Sequence, residues 1–305
     1  MTGEKPALPA ELFTINPWRA SAAIALDWAI IAACFWAAAC WPVWPVYLAA
    51  AVLVARTQLA LAVLMHESAH GTLYANRRLN DAAGQLFAAG PLMVSMFFYR
   101  YGHLKHHRAP MSADDPVALV FRIADYPVTR RELVRRLCRD LCGLSCFSGV
   151  YDVVAGKHRQ LALSPAAPAS AQQKWLVRTS IAGSHGLLLG TLCLTGHPLL
   201  YAGLWLLPAV TLLQLFARIR AITEHAGYPE AGDQMSNART VVRRSWQTFL
   251  FGPHCIHYHI EHHCHPRAPF YRLPKVHQAM LPVLPPANLY RGYGRVLRDV
   301  STRTG

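Results

Sequence analysis

The 305-residue sequence predicts an all-α integral membrane protein, with four transmembrane helices in two hairpins and a cytosolic helical cap. Two observations lead to this fold. Hydrophobic residues make up 53% of the chain and charged residues only 15%, a balance unusual for a soluble protein of this length. The 30 Lys and Arg residues are also unevenly placed along it.

A spanning helix needs roughly 20 mostly apolar residues, and residues 21–41, 44–64, 179–197 and 199–217 each supply about that length. The short connections at 41–44 and 197–199 carry no Lys, Arg, Asp or Glu, whereas every basic residue other than Arg56 lies outside the apolar stretches. Under the positive-inside rule, residues 1–20, 65–178 and 218–305 are therefore expected to be cytosolic. The first hairpin then occupies 21–64 and the second 179–217, in a bacterial inner membrane with both termini on the cytosolic side. Trp41, Pro42, Trp44 and Pro45 in the first connection suit a membrane interface. The first apolar run follows a polar leader and is long enough to span, so it reads as a signal anchor rather than a cleaved signal.

The formal charge of +14 and pI of about 9.7 would suggest nucleic acid in a soluble protein. Here the placement of the charge makes it a determinant of topology and an attraction to anionic lipid headgroups, and no nucleic-acid partner is expected.

The central region holds a further apolar stretch, 82–99, that cannot be a single crossing, because the histidine clusters on either side would then face opposite compartments. Gly90 and Pro91 interrupt it, which predicts a re-entrant or interfacial element. Residues 120–160 alternate basic and apolar positions, as in an amphipathic helix at headgroup level or a solvated charged face. A Pro/Ala/Ser-rich linker over 164–173 leads to the second hairpin. Cys138, Cys142 and Cys146 recur every four residues, which predicts reduced packing residues on one helix face.

Chemistry is carried by histidine, of which there are 16. His66 and His70 stand four apart directly after the second apolar run, so on a helix both imidazoles share a face. His103, His106 and His107 form H-L-K-H-H, and His259, His262 and His263 close H-Y-H-I-E-H-H. On a helix, H-x-x-H-H puts its first and last imidazoles on one side with the middle one close by, which can serve two adjacent metal ions. Core histidines usually occur singly, so three clusters on one side of a membrane point to metal binding.

The segments H-E-S-A-H-G, H-L-K-H-H and Y-H-I-E-H-H, the last followed by P-x-x-P-x-Y-R-L-P over 266–274, resemble the three histidine boxes of the membrane fatty acid desaturase superfamily. The resemblance covers roughly residues 50–280. It implies two non-haem iron ions held by the box histidines, with O2 as co-substrate, and a supplementary ligand after the last span, where His225 stands. Some members place an asparagine about a turn before that histidine; this chain reads Arg220, Ala221, Ile222 there. The implied reaction is removal of hydrogen from a fatty acyl chain, as acyl-lipid or acyl thioester, with hydroxylation or carotenoid ketolation as relatives of the same chemistry. No flavin, nicotinamide or haem signature is visible, so electrons are expected from a separate ferredoxin-like or cytochrome-like donor. Ligating imidazoles need outer partners, and Glu67, Asp114, Asp115, Glu224 and Glu261 are the candidates, with His254, His257 and His265 flanking the third box.

Two other classes compete. His66-Glu-x-x-His70 also satisfies the zinc metalloprotease pattern, and clustered histidines in a membrane protein could serve a metal transporter. One feature lies outside all of these. Asp27 and Arg56 fall at similar depth in the antiparallel first hairpin, where an unpaired charge costs roughly 2.5–3.5 kcal/mol, so an ion pair is expected, with Arg56 snorkelling or binding a lipid headgroup as the alternative.

Overall fold

The computed structural model describes residues 7–154, 169–228 and 234–302. Helix α1, Pro17–Cys40, starts where the Asn16 side chain accepts from the Trp18 and Arg19 amides and Pro17 presets the first turn. Helix α2, Trp44–His70, stops at Gly71, whose left-handed φ of 77° closes the C-terminus. Small residues at the interface, including Ala20, Ala23, Ala50 and Ala51, let the two helices pack closely. Helix α2 does not end at residue 64 but continues unbroken, so His66 and His70 ride on its last turns.

Helix α3, Arg77–Gly84, runs into a π-helical turn, Gln85–Ala89, and a 3-10 turn, Gly90–Leu92, before α4, Met96–Arg108; the two limbs meet at 95°. The buried Gln85 side chain services the corner. It accepts from the Met96 amide at 2.9 Å and donates to Val94 O at 3.1 Å and Ser180 Oγ at 2.9 Å. A bend of this kind leaves backbone groups unpaired, and a buried amide side chain supplies the missing partners.

Three short helices follow: α5, Pro116–Phe121; α6, Arg130–Leu141; and α7, Leu144–Val154. Gly143, at φ 75°, separates α6 from α7, so the described part of the 120–160 region is not one amphipathic helix, and residues 155–160 lie outside those described. That break also corrects the cysteine reading: Cys138 and Cys142 are exposed, and Cys146 belongs to the next helix. Within the 164–173 linker, residues 164–168 lie outside those described, and the chain resumes with Ser170, whose capping box starts α8, Ala171–Leu194.

A π-helical turn, Tyr201–Leu206, α9, Leu207–Val210, and α10, Leu212–His225, form one continuous run that ends at His225. Among the described residues three helices are long and apolar enough to cross a membrane: α1, α2 and Tyr201–His225. Helix α8, on the expected third span, has 24 residues but is interrupted by Arg178, Ser180, Ser184 and His185, while the bent α3–α4 pair is a further candidate.

The rest of the described chain folds as short helices and turns. It contains α11, Trp246–Phe251; α12, His259–Cys264; α13, Leu273–Met280; and α14, Tyr293–Asp299. Two small parallel ladders tie it down: β1, Val128–Thr129, pairs with β4, Ser301–Thr302, and β2, Thr240–Val241, with β3, Leu289–Tyr290. The Asp27–Arg56 pair is present, with Arg56 Nη1 3.5 Å from Asp27 Oδ1.

Candidate metal centre

Four segments distant in sequence deliver nine imidazoles to one place at the ends of α2 and α10. They sort into two groups, within each of which the ligand atoms lie within 4.8 Å of one another. One holds His66, His70, His103, His107 and His262; the other holds His106, His225, His259 and His263. The groups adjoin, since the rings of His107 and His263 stack with centroids 4.2 Å apart.

Helical spacing explains the sorting. On α4 the four-apart pair His103 and His107 turns to the first group and His106 to the second; on α12 the four-apart pair His259 and His263 turns to the second and His262 to the first. Each three-histidine helix thus gives two rings to one group and one to the other. His225 reaches the second group because Tyr201–His225 runs on past the apolar part of its length.

Five of the rings turn Nδ1 toward an outer oxygen. His106 Nδ1 faces both Asp115 oxygens at 3.0 and 2.9 Å, His225 Nδ1 faces Asn237 O at 2.9 Å, and His263 Nδ1 faces Gln234 Oε1 at 2.9 Å. His66 Nδ1 lies 3.2 Å from Glu67 Oε1 and His259 Nδ1 3.4 Å from Glu224 Oε1. With Nδ1–H turned outward, Nε2 carries a lone pair inward. Those inward atoms converge: Nε2 of His70 and His103 are 2.8 Å apart, His225 and His259 2.8 Å, and His107 and His262 3.0 Å. The buried Nε2 atoms of His66 and His263 meet no hydrogen-bond partner. Facing lone pairs repel, and a cation between them reverses the sign. The residues therefore fit a pair of metal ions held by nitrogen, with outer acceptors orienting His66, His106, His225 and His263.

Burial, reinforced by the crowding of neighbouring imidazoles, pushes His259, His262 and His263 well below the ordinary imidazole range. They stay neutral near pH 7, the form that binds metal.

The outer shell departs in part from the sequence expectation. Glu67 fits it and also accepts from Thr72 Oγ1 at 2.7 Å and the Phe270 amide at 3.0 Å, which joins the first cluster to the segment after the third. Asp115 orients His106 while capping α5 through the Val117 amide at 2.9 Å. Asp114 does not take part: it is 73% exposed and lies 3.6 Å from Lys105. Glu261 turns away from the cluster to Thr240 Oγ1, at 2.5 Å, and His277. His257 is buried against Val241 O at 2.8 Å, His265 packs near the Phe13 ring, and His254 reaches Asp27. Arg220, in the neighbourhood that reads Arg220, Ala221, Ile222, donates to Glu224 at 2.6 Å and so braces the carboxylate beside His259. Gln234 and Asn237 were not anticipated, because no spacing links residues before β2 to histidines on other helices.

An apolar groove of about 1220 Å³ runs between α1 and α8, lined by Ile24, Trp28, Phe35, Phe87, Leu187 and Leu188 among others. None of the nine histidines lines it.

Comparison with known proteins agrees with this centre. Residues 42–295 match the fatty acid desaturase family. Dihydrorhizobitoxine desaturase of Bradyrhizobium elkanii is 27% identical over 281 residues, covering 83% of this chain and 72% of that protein. The chloroplastic sn-2 acyl-lipid omega-3 desaturase (ferredoxin) of Helianthus annuus is 33% identical over 107 residues, and the chloroplastic omega-3 fatty acid desaturase of Glycine max is 32% identical over 109. Each plant match covers 34% of this chain and 23% of the relative. With a family match across most of its length, the chain belongs to the fatty acid desaturase family and is an oxidoreductase of the membrane desaturase superfamily.

Proposed function

We propose that the protein carries out oxygen-dependent desaturation of a fatty acyl chain, presented as acyl-lipid or acyl thioester, at two iron ions held by the nine histidines, using electrons from a separate donor. The observation that carries this reading is the convergence of nine imidazoles, one ring nitrogen from each, into adjacent groups of five and four. Bound iron would supply the O2 activation needed to attack an unactivated C–H bond, which side chains alone cannot do. The chain's own residues hold the imidazoles neutral, aim them through Asp115, Asn237, Gln234, Glu67 and Glu224, and bury them from bulk water.

The orientation of Glu67 argues against the zinc protease. A general base would face the metal-bound water, whereas this carboxylate is held by Thr72 and the Phe270 amide on the outer side of His66. A transporter would place its ligands along a path near the bilayer midplane; here they collect at the ends of the apolar helices and are largely buried.

Membrane topology follows the charge: both termini and the histidine centre face the cytosol of a bacterial inner membrane, the α3–α4 corner dips in and returns, and α8 serves as a span. The exposed Phe147, Val150 and Tyr151 of α7 then rest among lipid headgroups. A ferredoxin-like donor is the first choice, since one plant relative carries ferredoxin in its name; a cytochrome-like donor is the alternative.

The test is expression in a lipid-producing host, with mass analysis of lipids and metal analysis of the purified protein. Two irons per chain and a lipid product lighter by two hydrogens are expected. Gain of one oxygen would assign hydroxylation instead, and a single tightly held zinc with unchanged lipids would overturn the reading. Because the bacterial relative is named for dihydrorhizobitoxine, small-molecule extracts belong in the same analysis.

A further inference from the structure

Asp27 lies in the body of α1 and is 1% exposed. Two groups from elsewhere in the chain meet its carboxylate. Arg56 of α2 places Nη1 3.5 Å from Oδ1, and His254 places Nε2 2.7 Å from Oδ2, as a donating N–H. Arg56 also donates through Nε to Phe249 O at 3.2 Å and lies over the Phe249 ring at 4.9 Å. Phe249 belongs to α11, and His254 sits in the 3-10 turn that follows it. The segment leading to the third histidine cluster is therefore pinned to the first hairpin twice, by Arg56 at Phe249 and by Asp27 at His254.

The backbone of that segment is costly. His254 has φ 52° and Cys255 φ 59°, two successive left-handed residues without the freedom of glycine. Such a backbone is strained for a residue with a Cβ and persists only where its surroundings over-determine it. The Asp27 contact supplies that constraint, with the Phe270 ring 5.0 Å from the His254 ring on another side. Four residues after Cys255 comes His259, the first residue of α12. Helix α12 has six residues, too short to set its own position. On its far side Glu261 bonds Thr240 and His277.

We infer that Asp27 is a positioning residue for the metal centre: by holding Arg56 and His254 together, it registers α12, with His259, His262 and His263, against α2, which carries His66 and His70. The placement matters because the first group mixes His262 of α12 with rings of α2 and α4, so a displaced α12 opens both groups at once. This inference rests on the metal-binding reading for its importance, and the contact itself can be tested apart from it.

The experiment compares wild type, His254→Ala, His254→Gln and the paired Asp27→Asn/Arg56→Gln variant, each purified in lipid nanodiscs. Hydrogen exchange over 252–264 reports registration, and the rate of iron loss to a chelator reports its effect on the centre. His254→Ala is expected to speed exchange in 252–264 and iron loss by about tenfold, in line with loss of an outer partner of a metal site, while α1 and α2 stay protected. His254→Gln, which can still donate to Asp27, restores both in part. The double variant keeps an acceptor for His254 without leaving a buried unpaired charge but loses the Arg56 contacts to Asp27 and Phe249, so it is expected to lie between wild type and His254→Ala. Unchanged exchange and iron retention in His254→Ala would overturn the inference, as would equal acceleration throughout α1 and α2, which marks general destabilisation. Wild type that holds no iron would defeat the proposed function and leave the exchange result to decide the contact.

Discussion

His106 donates its Nδ1–H to Asp115, whose two oxygens lie 3.0 and 2.9 Å away, and the same carboxylate accepts from the Met111 and Val117 amides. One buried side chain thus aims a histidine of the second group and starts α5. Asp115→Ala is expected to lower metal affinity by about 10- to 100-fold and to remove a helix cap worth roughly 1 kcal/mol. Asp115→Asn, which retains an acceptor, should lose less. Iron per chain after graded chelator treatment distinguishes the two; equal retention in Asp115→Ala and wild type would refute the assignment.

Gly84 touches the helix of the first cluster. A Cβ there would stand 2.1 Å from Ser68 Oγ, and Ser68 lies between His66 and His70. Gly84→Ala should therefore destabilise by about 1–3 kcal/mol despite its better helix propensity. Adding Ser68→Gly removes the clash, and thermal unfolding in detergent should show partial recovery.

Arg218 forks onto Asp140, which is fully buried, and also donates to Phe121 O at 2.9 Å. Arg218→Ala leaves a carboxylate buried without its partner, at a cost of roughly 3–5 kcal/mol. Arg218→Lys should recover little, because a single ammonium cannot reproduce the fork. Replacing both residues by apolar ones of similar size should be far milder than either single change, which a double-mutant cycle on thermal stability would show.

A pH effect is expected at the outer end of α6. Hydrogen bonds from Arg135 and Arg136 hold the Glu132 carboxyl down at about 2. A lowered folded-state value means the stabilisation is present above the unfolded carboxyl range near 4.3 and fades as pH falls toward 2. Because the group borders solvent, its worth is under about 1 kcal/mol. The gap in melting temperature between wild type and Glu132→Gln should be small at pH 6 and close at acidic pH.

The histidines were legible because their spacing is local: two rings four apart share a helix face wherever the helix lies. Asp27 and Arg56 were legible for a related reason, as charges in apolar helices must find each other. The outer partners were mostly not. Glu67 and Asp115 stand beside their clusters, but so does Asp114, and only the cap of α5 decides which aspartate turns inward. Gln234 and the Asn237 carbonyl reach the rings through tertiary packing that leaves no periodic trace. Helix α8 was read from length, while its polar interruptions leave it less apolar than the three helices that qualify.

The two groups draw on α2, α4, α10 and α12, and neither is complete without a residue from the last of these. During synthesis the first hairpin and α4 emerge with four-fifths of one group already made, yet His262 is still to come. The second group waits for His259 and His263. On the proposed function, metal capture would therefore wait until α12 has been made, and a chain that stops before residue 259 would offer a metal an incomplete grip.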